Sequence, residues 1–88
     1  MRMLEQIFKN EPVEDVITVF ALNSSVASLD VMFGQYNPDA KKDGVFLKEY
    51  ARLFEEGVLS RGDDGTVVKG SKWKEPKFLS DSKYLGGS

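Results

Sequence analysis

The sequence predicts one small α+β domain with three to four helices and a β-hairpin near its C-terminus. Two observations support this fold class. Apolar residues recur at helical spacing over much of residues 3–56, and an Asp64-Gly65 pair separates two short apolar runs, which is a strong hairpin signal. The chain has 88 residues, 41% of them hydrophobic, and can therefore build a single core. We expect residues 1–85 to form one domain and residues 86–88 to be a flexible tail.

The first two helices are expected on either side of Pro12, and the first of them covers residues 3–9. In the second, the run VITVF is β-branched, so a strand competes with a helix there. We favour the helix because Glu14 suits a helix N-terminus. Asn10 or Glu11 would cap this helix, with Pro12 in its first turn. The expected apolar faces are Met3, Leu4, Ile7 and Phe8 in the first helix and Val13, Val16, Ile17, Phe20 and Ala21 in the second.

A third helix is expected between a cluster of small polar residues and Gly34. Asn23, Ser24 and Ser25 end the second helix and can cap the third, and Gly34 fits its C-terminal stop. Residues 35–43 are expected to form a loop because their Asn-Pro-Asp sequence favours a turn. The apolar stripe of the third helix comprises Val26, Leu29, Met32 and Phe33.

The strongest helix signal is the sequence VFLKEYARLFEE, and a hairpin follows it directly. Asp43 is expected to cap this helix, and Gly57 is a natural residue to end it. Strands are expected over residues 58–61 and 66–69, on either side of a Gly-Asp-Asp-Gly turn. The expected core face of the helix comprises Phe46, Leu47, Tyr50, Leu53 and Phe54.

The segment after Gly70 is basic and contains two large apolar anchors, Trp73 and Phe78. One interpretation is a nucleic-acid surface on which Trp73 stacks against a base, and another is a surface for an acidic partner. We favour a third interpretation, in which both anchors pack over the core and the lysines are solvated. The lysines concerned are Lys69, Lys72, Lys74 and Lys77.

The chain contains no cysteine and no histidine. A Ser-His-Asp triad and a Cys/His zinc site therefore cannot be built, and the serines lack a general base. We therefore expect no enzymatic activity and no cofactor. We also expect no bound metal, because Asp63 and Asp64 are more typical of a solvated turn than of a cation site. The sequence has neither a long apolar run nor a signal-peptide pattern, so we expect a cytoplasmic protein with no membrane partner.

Charge is distributed unevenly along the chain, whose net charge is −2. Residues 1–40 carry two basic and six acidic side chains, whereas residues 41–88 carry ten basic and eight acidic ones. A dedicated DNA-binding domain usually has a strong basic excess. The charge balance therefore favours a protein partner over a nucleic acid.

Residues 44–69 resemble the end of a winged-helix domain, in which a helix is followed by a two-stranded hairpin with a charged, glycine-containing tip. The resemblance implies that this helix is a recognition helix and the hairpin a wing. Two features depart from that family. Residues 34–43 replace the usual short turn, and three glutamates of the helix would face phosphates. The residues that carry the resemblance are Leu47, Leu53, Gly57, Leu59, Arg61, Asp64, Gly65 and Val67.

The function that we expect is that of a non-enzymatic protein-interaction domain. Its most concrete form is a small bacterial inhibitor that binds a basic toxin, such as a nuclease, and occludes the toxin's active site. Small size, acidic balance and the missing catalytic groups resemble toxin-immunity proteins as a class, without a shared motif. The acidic residues Glu11, Glu14, Asp15 and Asp30 would add to the binding face. The candidate partner-binding residues are Glu49, Arg52, Glu55, Glu56, Asp63 and Asp64.

The alternative is a transcriptional regulator of winged-helix type that binds nucleic acid. In that case some basic side chains would lie near a groove of the nucleic acid, and others would contact its phosphate backbone from the wing. The two hypotheses predict opposite charge on the face formed by the helix and the hairpin. The candidate nucleic-acid-binding residues are Lys41, Lys42, Lys48, Arg52, Arg61, Lys69 and Lys72.

Overall fold

The computed structural model describes residues 2–81, and the side chains of residues 4–81. Within this range the chain is a small α+β domain with one two-stranded antiparallel sheet, as the sequence predicts, and it has five α-helices rather than three to four. The proposed tail at residues 86–88 lies outside the described residues. The elements are α1 (Arg2–Asn10), α2 (Val13–Phe20), α3 (Val26–Tyr36), a 3-10 helical segment (Pro38–Gly44), α4 (Val45–Glu55), β1 (Leu59–Arg61), β2 (Val67–Lys69) and α5 (Lys77–Ser80).

A line of aromatic rings joins three helices at the centre of the core. The ring of Phe8 in α1 lies 4.8 Å from that of Phe33 in α3, centroid to centroid, and Phe33 lies 5.0 Å from Phe46 in α4. All three side chains are almost completely buried. Burial of each such side chain contributes roughly 2–3 kcal/mol. Val16 and Ile17 of α2 and Leu59 of β1 also belong to this core.

Helix α2 confirms the helical interpretation of the VITVF run, because Val16 and Ile17 are buried on one helical face. The expected cap is wrong. Pro12 itself occupies the N-cap position, with φ −56° and ψ 144°, and no side chain caps the helix. An extended Pro12 sets the entry angle of the chain without a side-chain hydrogen bond, since proline fixes φ.

Helix α3 begins where the sequence predicts but ends later. Ser25 is the N-cap, and its side-chain oxygen accepts a hydrogen bond from the Ser28 amide. The expected stop at Gly34 is wrong, because the helix continues through Gly34 to Tyr36. The helix ends instead at Asn37, which precedes a proline and has φ −151°. The Asn37 side chain donates a hydrogen bond to the Phe8 carbonyl oxygen at 3.1 Å, and so ties this end to α1.

The expected loop over residues 35–43 is also wrong, because most of it is helical. The 3-10 segment packs against α3 and α4 and buries Ala40. Asp43 and Gly44 both have positive φ angles, 57° and 71°, and this left-handed pair redirects the chain into α4. The expected cap at Asp43 is therefore wrong, since Gly44 occupies the N-cap position and no side chain caps α4.

Helix α4 buries a narrower face than its sequence suggests. Phe46 and Leu53 are buried, and Tyr50 and Phe54 are half-buried against the core. Leu47 is 59% exposed, so its expected place in the core is wrong. Successive helical residues are about 100° apart, and a buried face that is centred on Phe46 and Leu53 leaves Leu47 outside.

The hairpin places two cations on the face that packs against the rest of the domain. Leu59 pairs with Lys69 and Arg61 pairs with Val67, so these four residues share one face of the sheet. The Arg61 guanidinium lies 4.8 Å from the Phe54 ring centroid, and the Lys69 ammonium lies 4.3 Å from that of Trp73. The two predicted strands are confirmed, and each begins one residue later than expected, β1 at Leu59 and β2 at Val67.

The segment after the hairpin packs back onto the domain. The Gly70 amide donates to the Val58 carbonyl oxygen at 2.8 Å, and the Trp73 indole N–H donates to the Thr18 carbonyl oxygen at 3.0 Å. Phe78 is buried and Trp73 packs partly buried against the core. The interpretation of these two aromatic residues as core anchors is confirmed.

Candidate partner-binding surface

Arg52 lies at the centre of a cluster of carboxylates on the outer side of α2 and α4. Its Nη1 donates to Glu56 Oε2 at 2.9 Å, its Nη2 donates to Glu14 Oε1 at 2.8 Å, and its Nε donates to Glu49 Oε1 at 2.9 Å. One guanidinium therefore fixes three carboxylates that come from two helices. Its fork of five N–H donors can bond several carboxylate oxygens at once.

Helical spacing and helix packing explain how this cluster forms. Glu49 and Glu56 lie three residues before and four residues after Arg52, so all three residues share one stripe of α4. Glu14 reaches the same guanidinium because α2 packs against α4. Spacing in the sequence predicts a local pair of Arg52 with Glu49, Glu55 or Glu56, and the structure shows the pairs with Glu49 and Glu56. The pair with Glu14 is 38 residues away in the chain, and it depends on the tertiary packing of α2 and α4.

Two more carboxylates extend this cluster at the start of α2. The pKa of Asp15 is raised, first because the carboxyl is partly buried and then because Glu14 and Glu11 lie nearby. The pKa of Arg52 is raised by its hydrogen bonds with Glu49 and Glu56, so the guanidinium stays charged. We call this set the acidic surface: Glu11, Glu14, Asp15, Glu49, Arg52 and Glu56.

The remaining candidates for partner binding lie elsewhere in the fold. Glu55 is exposed on α4, but it is not among the carboxylates that contact Arg52. Asp63 and Asp64 are exposed in the hairpin turn. Asp64 Oδ1 accepts hydrogen bonds from the Thr66 hydroxyl at 2.7 Å and from the Thr66 amide at 3.2 Å, and these bonds lower the pKa of Asp64. The structure therefore gives Asp64 a role within the turn.

Five of the seven cations in the alternative nucleic-acid set contact other side chains of this chain. Arg52 is surrounded by carboxylates, and Arg61 and Lys69 cover aromatic rings. The three carboxylates around Arg52 would compete with a phosphate for that guanidinium. The other two cations form ion pairs at exposed positions: Lys41 with Asp30 at 3.3 Å, and Lys42 with Asp39 at 3.4 Å.

A separate groove opens between the α2–α3 connection, helix α4 and the hairpin. Its walls are residues 21–26, Tyr50, Arg61 and residues 65–67, and its volume is about 460 Å³. Volumes of this order are typical of ligand pockets. The groove shares no residue with the acidic surface.

Comparisons of the chain with family models, curated proteins and solved structures found no match. In residues 2–81, no helix has both the length and the apolar character needed to cross a bilayer. Over the same part of the chain, His, Cys, Asp and Glu side chains form no group of three that could hold a metal ion. The geometry of the two surfaces is therefore the basis for a functional argument.

Proposed function

We propose that this chain is a non-enzymatic cytoplasmic interaction domain whose acidic surface binds a basic partner protein. The observation that carries the proposal is the hydrogen-bonded cluster of Glu14, Glu49 and Glu56 around Arg52. Surface carboxylates normally sample many rotamers, and ordering them on binding costs free energy. Here the guanidinium holds three of them in place beforehand, so less ordering is left for the binding step.

The proposed mechanism is occlusion of a cationic active site. A nuclease presents lysines and arginines to the phosphates of its substrate, and a group of carboxylates on the inhibitor can take the places of those phosphates. Complementary charge also speeds the encounter of the two proteins. The partner class that fits this chemistry best is a basic toxin with nuclease activity, and the chain would act as its immunity-type inhibitor.

The alternative proposal, a winged-helix regulator, has less support from the geometry. On α4, which would be the recognition helix, Arg52 is paired with three carboxylates. On the hairpin, which would be the wing, Arg61 and Lys69 lie over the Phe54 and Trp73 rings, and both side chains are exposed. A protein that binds DNA neutralises phosphates with such cations. Lys48 and Lys72, both exposed, are the two members of the set outside these contacts.

The proposal is tested by affinity capture from the native host's lysate, with and without nuclease treatment. Wild-type chain is compared with the triple variant Glu14→Gln, Glu49→Gln, Glu56→Gln. Glutamine keeps an oxygen that accepts from Arg52, so the fold is expected to persist, and circular dichroism checks this. We expect wild type to retain a stoichiometric basic protein after nuclease treatment and the triple variant to lose it.

The matched control removes the same number of charges outside the acidic surface: Asp39→Asn, Glu75→Gln and Asp81→Asn, all at exposed positions. This control is expected to retain the partner. Equal retention by both triple variants would refute a role for the acidic surface. Recovery of DNA or RNA that nuclease treatment abolishes would favour the regulator.

A further inference from the structure

The groove beside the hairpin has a charge character opposite to that of the acidic surface. Among the residues that line it, Arg61 is the one charged side chain, and no aspartate or glutamate belongs to its described walls. The N-cap of α3, Ser25, lines this groove, and the first turn of the helix contains no acidic residue. Asp64, in the hairpin turn next to the groove wall, hydrogen-bonds Thr66, so attraction of an anion to the groove depends on Arg61 and the start of α3.

The Arg61 side chain makes two contacts that leave most of its donors available. Its guanidinium stacks over the Phe54 ring, and its Nη1 donates one hydrogen bond to the Gly65 carbonyl oxygen at 3.3 Å. A guanidinium has five N–H donors in a planar fork. A carboxylate can thus receive a two-pronged pair of hydrogen bonds from the remaining donors of this side chain.

The rest of the groove provides apolar contact. Leu22 and Val67 are half-buried in its walls, and Tyr50 presents a half-buried ring. Val26 at the start of α3 is 38% exposed. An apolar wall beside a single cation fits a ligand that carries an apolar side chain next to a carboxylate. The C-terminal residue of a peptide carries an apolar side chain and a carboxylate on the same Cα atom. A residue of this size can enter a groove of about 460 Å³.

We propose that this groove binds the C-terminal residue of a partner peptide, with its carboxylate on Arg61 and its apolar side chain against Tyr50 and Val67. Recognition of a terminal carboxylate by oriented donors is an established mode of peptide binding. The groove is a second binding site, independent of the acidic surface and of the proposed inhibitor function.

The test is an NMR titration of the ¹⁵N-labelled chain with N-acetyl-leucine and with N-acetyl-leucinamide, which differ only in the charge of the terminal group. A ligand of this size is expected to bind with a Kd on the order of 1 mM. We expect N-acetyl-leucine to shift the amides of residues 22–26 and 65–67 saturably, and the amide probe to bind about tenfold more weakly. Equal binding of the two probes, or no shift at these amides, would overturn the proposal.

Two variants locate the carboxylate. Arg61→Gln is expected to remove the preference for N-acetyl-leucine, whereas Lys69→Gln is expected to keep it. Lys69 is a matched control because it is a cation on the same hairpin face, but it covers Trp73 and lies outside the groove. Thermal unfolding shows whether both variants remain folded. An unchanged preference in Arg61→Gln would contradict the assignment.

Two further observations separate other occupants from a peptide C-terminus. A Leu-Asp dipeptide that is blocked at both ends carries its carboxylate on a side chain, and we expect it to bind more weakly than N-acetyl-leucine. Equal or tighter binding would overturn the assignment to a terminal carboxylate. Shifts of the groove amides on raising the concentration of the chain alone would assign the groove to a second copy, and would also overturn the proposal.

Discussion

Arg52 forms hydrogen bonds with carboxylates from two helices, and this one side chain gives the acidic surface its geometry. Helical spacing predicts that Arg52 pairs with Glu49, Glu55 or Glu56, and the structure selects Glu49 and Glu56. It does not predict Glu14 as a partner of Arg52, because that pair requires α2 to lie against α4. Residue-scale roles were thus predictable where they are local in the chain.

Trp73 shows a second long-range contact at the scale of one residue. Its indole N–H bonds the Thr18 carbonyl oxygen near the end of α2, and the C-terminal segment is thereby held against that helix. We expect Trp73→Phe to lower the free energy of unfolding by about 1–2 kcal/mol through loss of this hydrogen bond. Lys69→Gln, which removes only the cation over the ring, is expected to cost about 0.5 kcal/mol. Urea unfolding of the two variants measures both values.

The raised pKa of Asp15 predicts a pH effect on stability. A carboxyl with a raised pKa contributes stability that is fully present below its ordinary pKa of 3.8 and is lost as pH rises through the folded-state value. We therefore expect Asp15→Asn to have a higher melting temperature than wild type at pH 7. The difference should shrink as pH falls below about 4. A variant that is less stable than wild type at pH 7 would contradict this account.

At the scale of secondary structure, the sequence predicted elements where spacing and turn chemistry agree. The apolar face of α2, the start of α3 after a cluster of capping residues and the Asp64-Gly65 hairpin belong to this group. One wrong prediction is the side-chain cap of α2, because Pro12 occupies that position. The others concern Gly34, Leu47 and the segment before α4. In each case tertiary contacts decide the outcome: α3 continues over an exposed glycine, and residues 38–44 fold into a 3-10 segment because α3 and α4 provide a surface for it.

Gly70 is required by the close approach of two backbone segments. A Cβ at this position would overlap the Gly57 carbonyl group, with the carbonyl carbon at 2.7 Å. Two backbone hydrogen bonds hold these segments together: the Gly70 amide donates to the Val58 carbonyl oxygen, and the Lys72 amide donates to the Gly57 carbonyl oxygen. We expect Gly70→Ala to destabilise the fold by about 3 kcal/mol, since two backbones must move apart.

Gly65 is the matched control for this prediction. It has φ 85°, and a Cβ there would meet no atom within 4 Å. Gly65→Ala therefore suffers only the left-handed backbone strain of about 1–2 kcal/mol. Chemical unfolding of both variants measures the difference. A cost for Gly70→Ala that is no larger than that of Gly65→Ala would show that the two segments can separate easily.

Gly34 offers a substitution in the opposite direction. It is exposed within α3, and a Cβ there would approach only the flexible end of Lys41, whose Nζ lies at 3.3 Å. Alanine loses less backbone entropy than glycine in a helix, so Gly34→Ala is expected to stabilise the chain by about 0.5 kcal/mol. An unfolding curve that moves to lower denaturant would mean that Lys41 cannot give way.

At the scale of the whole molecule, one core supports two surfaces of different character. The aromatic line from Phe8 to Phe46 orders α1, α3 and α4, and the hairpin closes over α4. The acidic surface and the Arg61 groove share no residue. The spacing of apolar residues and the Asp64-Gly65 turn predict the α+β class, and the distribution of charged residues shows an acidic first half. It does not predict the groove, because its walls come from residues 21–26, α4 and the hairpin.

The central claim is that the acidic surface binds a basic protein, and a titration of the captured partner tests it most directly. Isothermal calorimetry compares wild type, the Glu14, Glu49 and Glu56 triple variant and the Asp39, Glu75 and Asp81 control. Loss of three charge pairs is expected to weaken binding by about 100-fold, and the control is expected to change it by less than about threefold. Similar affinities for all three forms of the chain would contradict the claim.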